Sequence, residues 1–247
     1  MRVSIITVTF NSARTLPETL QSVLSQDYAD IEHILVDGAS TDGTQDIIRE
    51  YAQQHPNVHY LSEKDSGIYN AINKGLTLAT GDVIGILNSD DVLADTNTIS
   101  TIAKAFTDTH AQVVYGNLIY YNPLTNKVIR HWRSNDFHRS SLSFGWMPAH
   151  PTFYCTHEVY KQVGGYDESF RISADYDFML RVLMQDYHTY YVPTNLIRMS
   201  IGGASNRNCH AMATKSSEDL RVLRKNHVGW GVLTVFFKNI RKIRQFL

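Results

Sequence analysis

The chain has 247 residues, 43% of them hydrophobic and 19% charged, with a formal net charge of −1; that is ordinary globular composition and excludes a disordered chain. The charge is uneven: the stretch from Leu220 to Leu247 holds seven Lys or Arg and no acid, leaving 16 bases against 24 acids in the remainder. This confines the net positive charge to the tail, with no basic stripe for nucleic acid on the acidic body, and the two cysteines, Cys155 and Cys209, make no disulfide framework and fit a reducing compartment.

Residues 3–10 are rich in β-branched side chains and read as a strand buried on both faces. They are too short for a secretory leader and run into polar NSART. No stretch approaches the roughly 18 apolar residues of a membrane span, so the expectation is a soluble, cytoplasmic protein that touches the inner face of a membrane at most. TLPE follows as a capping box, with Thr15 as cap and Glu18 three residues on, opening a helix with Leu16, Leu20, Val23 and Leu24. EHILVD reads as a second strand ending at Asp37, GASTDGT as a turn, and Ile47, Ile48 and Tyr51 mark the next helix. VHYLSE is a third strand. Ile68, Ala71, Ile72, Gly75, Leu76 and Ala79 form a helical apolar stripe, and DVIGIL returns as a strand. Four alternations in about ninety residues predict an α/β fold, a parallel sheet covered by helices. Such sheets bind ligands beyond the carboxyl ends of their strands. There this chain delivers Thr9-Phe10-Asn11, Asp37 and Asn88-Ser89-Asp90-Asp91.

After Asp95 the pattern loosens. A helix near 97–109 leads to the strand QVVYG and an aromatic, basic stretch, YYNPLTNKVIRHWRSNDFHR. FGWMPAHPTFY reads as a loop entering a strand, and GGYDESFRISADYDFMLRVLMQ as a turn, a second acidic cluster and a helix. No repeat or low-complexity linker interrupts the chain, so one main domain is expected to about residue 205.

Asp90 and Asp91 repel each other, so their place at a strand end needs a reason. They suit a hard divalent cation, Mg²⁺ or Mn²⁺, that completes its shell with waters and phosphates. They equally suit a cap for the helix near Thr96, or a solvated turn. The pair alone leaves these open.

Four segments in order, SIITVTFN, HILVDGASTDGT, SEKDSGIYNAINKGLTLATGDVIGILNSDD and GGYDESFRISADYDFMLR, resemble family 2 glycosyltransferases of the GT-A fold, from residue 3 to about 185. The resemblance implies inverting, non-processive transfer of a sugar from a nucleotide diphosphate sugar, a UDP-sugar first, to an acceptor hydroxyl, as in bacterial surface polysaccharide built on a lipid carrier. With the domain end near 205 this gives a GT-A domain over 1–205, with a nucleotide-binding half (1–95) and an acceptor-binding half (96–205), and the charge of the tail adds a basic amphipathic helical extension over 206–247. By motif, SDD stands for the family's Asp-x-Asp element: Asp91 would bind the Mn²⁺ or Mg²⁺ bridging the diphosphate, and Asp90 would lie near the donor ribose. Asp37 would accept from uracil N3–H, Thr9 and Phe10 would wall the base, and Asp65 would add a donor contact. Many members have an Arg just before the Asn of the helix after the third strand. Here that place is Ile72, followed by Asn73 and Lys74, and Lys74 is the candidate charge. Asp175 matches the family's base, in a motif more often written Glu-Asp whose first place is Ala174 here. Asp177 reads as a first-turn helix acid. The chemistry needs both ends of this set. A leaving diphosphate gathers negative charge that a cation stabilises, and a weakly nucleophilic hydroxyl needs a base within hydrogen-bond reach.

His150 precedes a proline and so sits in extended backbone, placed to meet the acceptor or the diphosphate, or to be a plain loop histidine. Trp146 and Trp132 offer a sugar-stacking face or core packing. SIGGASN, residues 200–206, is a segment to close over the donor or simply the domain's end. On a helical wheel Phe236, Ile240, Ile243 and Leu247 share one face with Lys238, Arg241 and Lys242 opposite, which suits an anionic membrane. The alternative is a helix packed on the acidic body or on a second subunit; a lipid-linked acceptor favours the membrane. Two other classes compete. A nucleotidyltransferase lacks support, since TFNSART has one base and no glycine-rich phosphate loop. A non-enzymatic nucleotide-sugar binder would not need Asp37, Asp90, Asp91 and Asp175 all intact. The Gln-x-x-Arg-Trp motif of processive synthases does not occur.

Overall fold

The computed structural model describes residues 1–201 and 209–243. Four parallel strands lie in the order β3 (Val58–Ser62), β2 (Ile31–Asp37), β1 (Val3–Thr9) and β4 (Val83–Ile86). β1, β2 and β4 are buried at every residue, as continuous apolar runs covered on both faces must be. The covering helices are α1 (Leu16–Leu24), α2 (Thr44–Gln54) and α3 (Ile68–Leu78). α3 lies flat on the sheet at Gly75, where a Cβ would stand 2.5 Å from a methyl of Ile6. Ile68, expected on the buried stripe, opens α3 and is 47% exposed. The capping box does not form either. Thr15 is the N-cap of α1 without a side-chain cap bond, and Glu18 instead accepts the Tyr121 hydroxyl at 3.2 Å.

Past β4 the sheet becomes mixed. β8 (Tyr154–Thr156) runs antiparallel to β4 and to β6 (Val113–Tyr121); β9 (Thr189–Ser200) runs parallel to β6, and β5 (Asp91–Leu93) closes the edge antiparallel to β9. A further strand, β7 (Val128–Trp132), folds back on β6 as a hairpin made from the aromatic, basic stretch. The helices of this half are α4 (Thr98–Thr109), α5 (His157–Val163) and α6 (Ala174–Leu183).

Two further helices, α7 (Cys209–Lys225) and α8 (Val232–Ile243), pack on this half. Val222, Leu223, Val228 and Val235 are buried in the same apolar cluster as Ile6, Tyr115 and Phe178, so the C-terminal extension shares the core of the sheet. Asp177 lies in the first turn of α6 and is fully buried, where it binds Arg181 (2.8 Å), Lys225 (3.0 Å) and Asn226 (2.9 Å), tying α7 to α6. Among the described residues no helix is long and apolar enough to cross a membrane.

Candidate active site

The carboxyl ends of β1, β2 and β4 do converge. Thr9 and Asp37 are register partners, and the Thr9 hydroxyl donates to Asp37 at 3.0 Å. The loop after β1 meets the loop after β4 through the Ser12 and Ser89 hydroxyls, 2.8 Å apart. Phe10 stands 66% exposed at this edge, an open aromatic face. Beside it Gly38 lets Asp65 approach so closely that a Cβ there would meet Oδ2 at 2.4 Å and the Phe10 ring at 3.3 Å. Asp65 also receives the Gly67 N–H at 2.9 Å.

Asp37 is fully buried, and its carboxylate already receives four donors: the Thr9, Ser40 and Ser62 hydroxyls and the Ser40 N–H. A carboxylate has about four such positions, so a uracil N3–H would have to displace one of these rotatable hydroxyls. Lys74 is likewise engaged, with Glu63 (2.8 Å) and the carbonyl of Lys64 (2.8 Å). Ile72, in the place of the family arginine, is core.

Asp91 starts β5 and is almost completely buried. Asn88 donates to its Oδ2 at 2.8 Å, while Oδ1 is buried without a hydrogen-bond partner among the described residues. Burial, and then the neighbouring charge of Asp90, hold the carboxyl of Asp91 well above its ordinary pKa. No three His, Cys, Asp or Glu converge among the described residues, so protein donors alone would not close a coordination shell. A buried, unsatisfied carboxylate oxygen beside a second acid is nonetheless a donor set that fits a cation completed by diphosphate oxygens and water.

The second acid, Asp175, lies in the first turn of α6, half-buried, in a cavity of about 500 Å³. Its Oδ1 receives the Tyr176 N–H at 2.8 Å and faces the Tyr69 hydroxyl at 3.4 Å. Burial raises the pKa of Tyr120; the charge of Arg130 opposes the rise, and those of Asp91 and Asp175 add to it. The turn that presents Asp175 is held from α7. Glu218 accepts the N–H groups of Arg171 (2.9 Å), Ile172 (2.8 Å) and Ser173 (2.9 Å), and Asp219 accepts the Ser173 hydroxyl (2.9 Å).

His150 lines this cavity and bonds the Tyr166 hydroxyl at 2.7 Å. Burial lowers its pKa, with Asp175 opposing, so its imidazole is neutral at neutral pH. Trp146 takes the core-packing alternative, although it also lines this cavity. Boxed by Tyr115 and Phe137 and donating to the Ser134 carbonyl at 2.6 Å, it is 5% exposed and belongs to the core. The half-buried Trp132 is the tryptophan left for a sugar face. Of the wheel on α8, the side chains of Lys242, Ile243 and Leu247 lie outside the described residues; Phe236 and Ile240 are exposed, while Lys238 and Arg241 line the cavity. α8 crosses above Gly145 so tightly that a Cβ there would meet the Lys238 backbone at 2.6–2.7 Å. Of SIGGASN, only Ser200 and Ile201 fall among the described residues.

A family model described as Glycosyl transferase family 2 matches residues 4–176. The chain belongs to that family. A relative in Mycobacterium bovis (strain BCG / Pasteur 1173P2), a PGL/p-HBAD biosynthesis glycosyltransferase, is 35% identical over 186 residues, covering 72% of this chain and 68% of the relative. The chondroitin synthase of Escherichia coli is 27% identical over 180 residues, 73% of this chain but 26% of that protein. Among solved structures, S. aureus TarS 1–349 in complex with UDP-GlcNAc superposes with a TM-score of 0.70 at 18% identity, over 92% of this chain and 65% of that one. The mannosyltransferase PcManGT from Pyrobaculum calidifontis, in complex with GDP-Man and Mn²⁺, gives 0.69 at 21% identity, over 96% and 69%. This family 2 glycosyltransferase thus has the GT-A type of α/β fold and spans just under two thirds of the TarS chain. Its family match ends at residue 176, so α7 and α8, with Glu218 and Lys238, lie outside it.

Proposed function

We propose that this glycosyltransferase moves a sugar, with inversion, from a nucleoside diphosphate sugar to a hydroxyl of a lipid-linked glycan. The observation that carries the reading is the almost completely buried Asp91 beside Asp90 at the strand ends, its Oδ1 without a hydrogen-bond partner among the described residues. The donor lies over the strand ends, its base against Phe10, with Thr9 and Asp65 near by and Asp90 toward the ribose. A uridine is the first candidate, held by Asp37 once the Ser62 hydroxyl turns away; Lys74 reaches the diphosphate only by leaving Glu63. Asp91 would hold a Mn²⁺ or Mg²⁺ ion together with the diphosphate oxygens, and that ion supplies Lewis-acid stabilisation of the leaving group. Asp175 takes the proton of the attacking hydroxyl, with His150 beside it as a neutral donor to the acceptor.

Attachment to an anionic membrane at the cytoplasmic face is supported by the outer face of α8. Val232, Leu233, Phe236 and Ile240 are exposed in one stripe, extended by Trp230 and Phe144, whose rings meet at 4.9 Å. The test is calorimetric titration of the chain with UDP, GDP and dTDP, with and without Mn²⁺. Binding of UDP that needs Mn²⁺ and is lost in Asp91→Asn supports the donor site. Binding of GDP or dTDP instead moves the base pocket, and no nucleotide binding by folded protein defeats the reading.

A further inference from the structure

The cavity around Asp175 is lopsided in charge. Arg130 and Arg133 reach it from the β7 region, and Lys215, Lys238 and Arg241 from α7 and α8; the carboxylates that line it are Asp175 and Asp219. Asp219 is already committed, accepting Lys238 Nζ at 2.9 Å and the Ser173 hydroxyl at 2.9 Å. Cations therefore outnumber acids around the one carboxylate that faces the acceptor.

This excess is costly as it stands. The Lys238 side chain is 12% exposed, and its ammonium sits 3.3 Å from the centre of the Tyr176 ring. Burial lowers its pKa; Asp219 opposes the fall, and the charge of Lys215 adds to it. The Tyr176 hydroxyl, beneath it, has no hydrogen-bond partner among the described residues. Arg130 holds its guanidinium over the rings of Tyr120 (4.6 Å) and Trp132 (5.3 Å), a stacked posture that fixes its planar fork. Gathering like charges around one enclosed space destabilises a protein until an opposite charge enters. A volume of about 500 Å³ admits a sugar ring together with such a group.

We propose that the acceptor is an anionic glycan, whose phosphate or carboxylate seats against Lys215, Lys238 and Arg130 while its hydroxyl meets Asp175, and that α7 and α8 form the element that reads this charge. The inference rests on the transferase reading above and adds the acceptor class. It also accounts for the basic C-terminal stretch, part of which turns inward.

The test uses the full chain saturated with Mn²⁺ and whichever nucleoside diphosphate it binds, so that the donor site is filled. Methyl β-glucoside, methyl β-glucuronide and the 6-phosphate of methyl β-glucoside are then titrated calorimetrically. At least one anionic glycoside should bind about tenfold more tightly than the neutral one, the scale of a charge-assisted hydrogen bond; the two anionic arms separate carboxylate from phosphate. Lys215→Ala, at a half-buried surface position, should abolish the preference, and Lys238→Gln should do the same where it folds. Equal affinities for the three, binding of none, or an undiminished preference in Lys215→Ala overturns the proposal. Nucleotide affinity, measured first, keeps the two readings apart: its absence defeats the donor reading, whereas nucleotide binding with charge-blind glycosides defeats only this one.

Discussion

Tyr69 on α3 points its hydroxyl at Asp175 on α6, 3.4 Å from Oδ1, and shares the same proton with the carbonyl of Ile172. Burial, with the nearby charge of Asp175, holds that phenol protonated far above neutral pH, so it acts as a fixed donor. Asp175→Asn should therefore lower kcat about 10²–10⁴-fold, the range for loss of a general base. Tyr69→Phe, which frees the carboxylate to turn, should lower it about tenfold. Nucleotide affinity should hold in both. An equal loss of nucleotide affinity would place the pair on the donor side.

Glu218 supports Asp175 without reaching the acceptor, since its carboxylate holds three N–H groups in the turn before α6. Glu218→Ala should destabilise the chain by about 1 kcal/mol, the net worth of hydrogen bonds that are part-buried or exposed, and reduce kcat more than nucleotide affinity. Glu218→Gln, which keeps an acceptor oxygen, should restore part of both. A kcat unchanged in Glu218→Ala would reduce Glu218 to a stabilising role.

Asp91 predicts an inverted stability effect. Its folded pKa lies above that of an unfolded aspartate, so the folded state keeps a proton that the unfolded chain has lost, and stability falls as pH rises from about 4 toward that raised value. At neutral pH without cation, Asp91→Asn should melt roughly 2–4 °C higher, the shift that about 1 kcal/mol produces in a chain of this size. The gain should fade near pH 4. Mn²⁺ with UDP should reverse the order by stabilising only the parent chain. A mutant less stable than the parent at neutral pH would contradict the buried, repelled carboxylate.

His33 predicts the opposite slope. It is fully buried on β2, with the Thr7 hydroxyl 3.0 Å from Nε2, and burial lowers its pKa to about 3. Between pH 6.5 and that value the unfolded chain binds the extra proton, so stability rises with pH by up to about 1.4 kcal/mol per unit and is lost on acidification. Denaturant midpoints from pH 7 to 4.5 should show this fall, and His33→Gln should flatten it. The same slope in the mutant would assign the loss to other groups.

The exposed stripe on α8 is readable by vesicle sedimentation. Replacing Trp230 and Phe236 together with serine should cut binding to anionic vesicles about tenfold, by removing buried apolar area. Both are exposed, so the melting temperature should change little. Unaltered vesicle binding, or none by the parent chain, would remove the membrane from the reading.

The first ninety residues were legible because their signals are local. A β-branched run, a helical stripe and an acid at a strand end each announce themselves within a dozen residues, and β1, β2, α2 and β4 lie where those signals put them. What failed was pairing at a distance. β9 carries Pro193 inside a strand, and β5 begins at Asp91, a residue that reads as turn; β9 is held along β6, and β5 along β9. Glu218 binds N–H groups more than forty residues away in sequence, which no local pattern encodes. The wheel of α8 found two faces but not what each one meets. Lys238 on its basic face reaches inward to Asp219, a partner nineteen residues back that no local pattern encodes. Trp146 and Trp132 were equivalent as letters, and only the neighbouring rings of Tyr115 and Phe137 made one of them core.

The crossing of α8 over Gly145 has a mechanical consequence. The helix rests on a hydrogen atom where any other residue would place carbon, and Gly145 also holds a φ of +70° that disfavours a side chain. Roof and floor of the cavity around Asp175 are thus set apart by one position. A methyl group there would act as a wedge between α8 and the floor beneath it. On the acceptor reading proposed above, Gly145 is the hinge pin through which a substitution would reshape the space for a new acceptor.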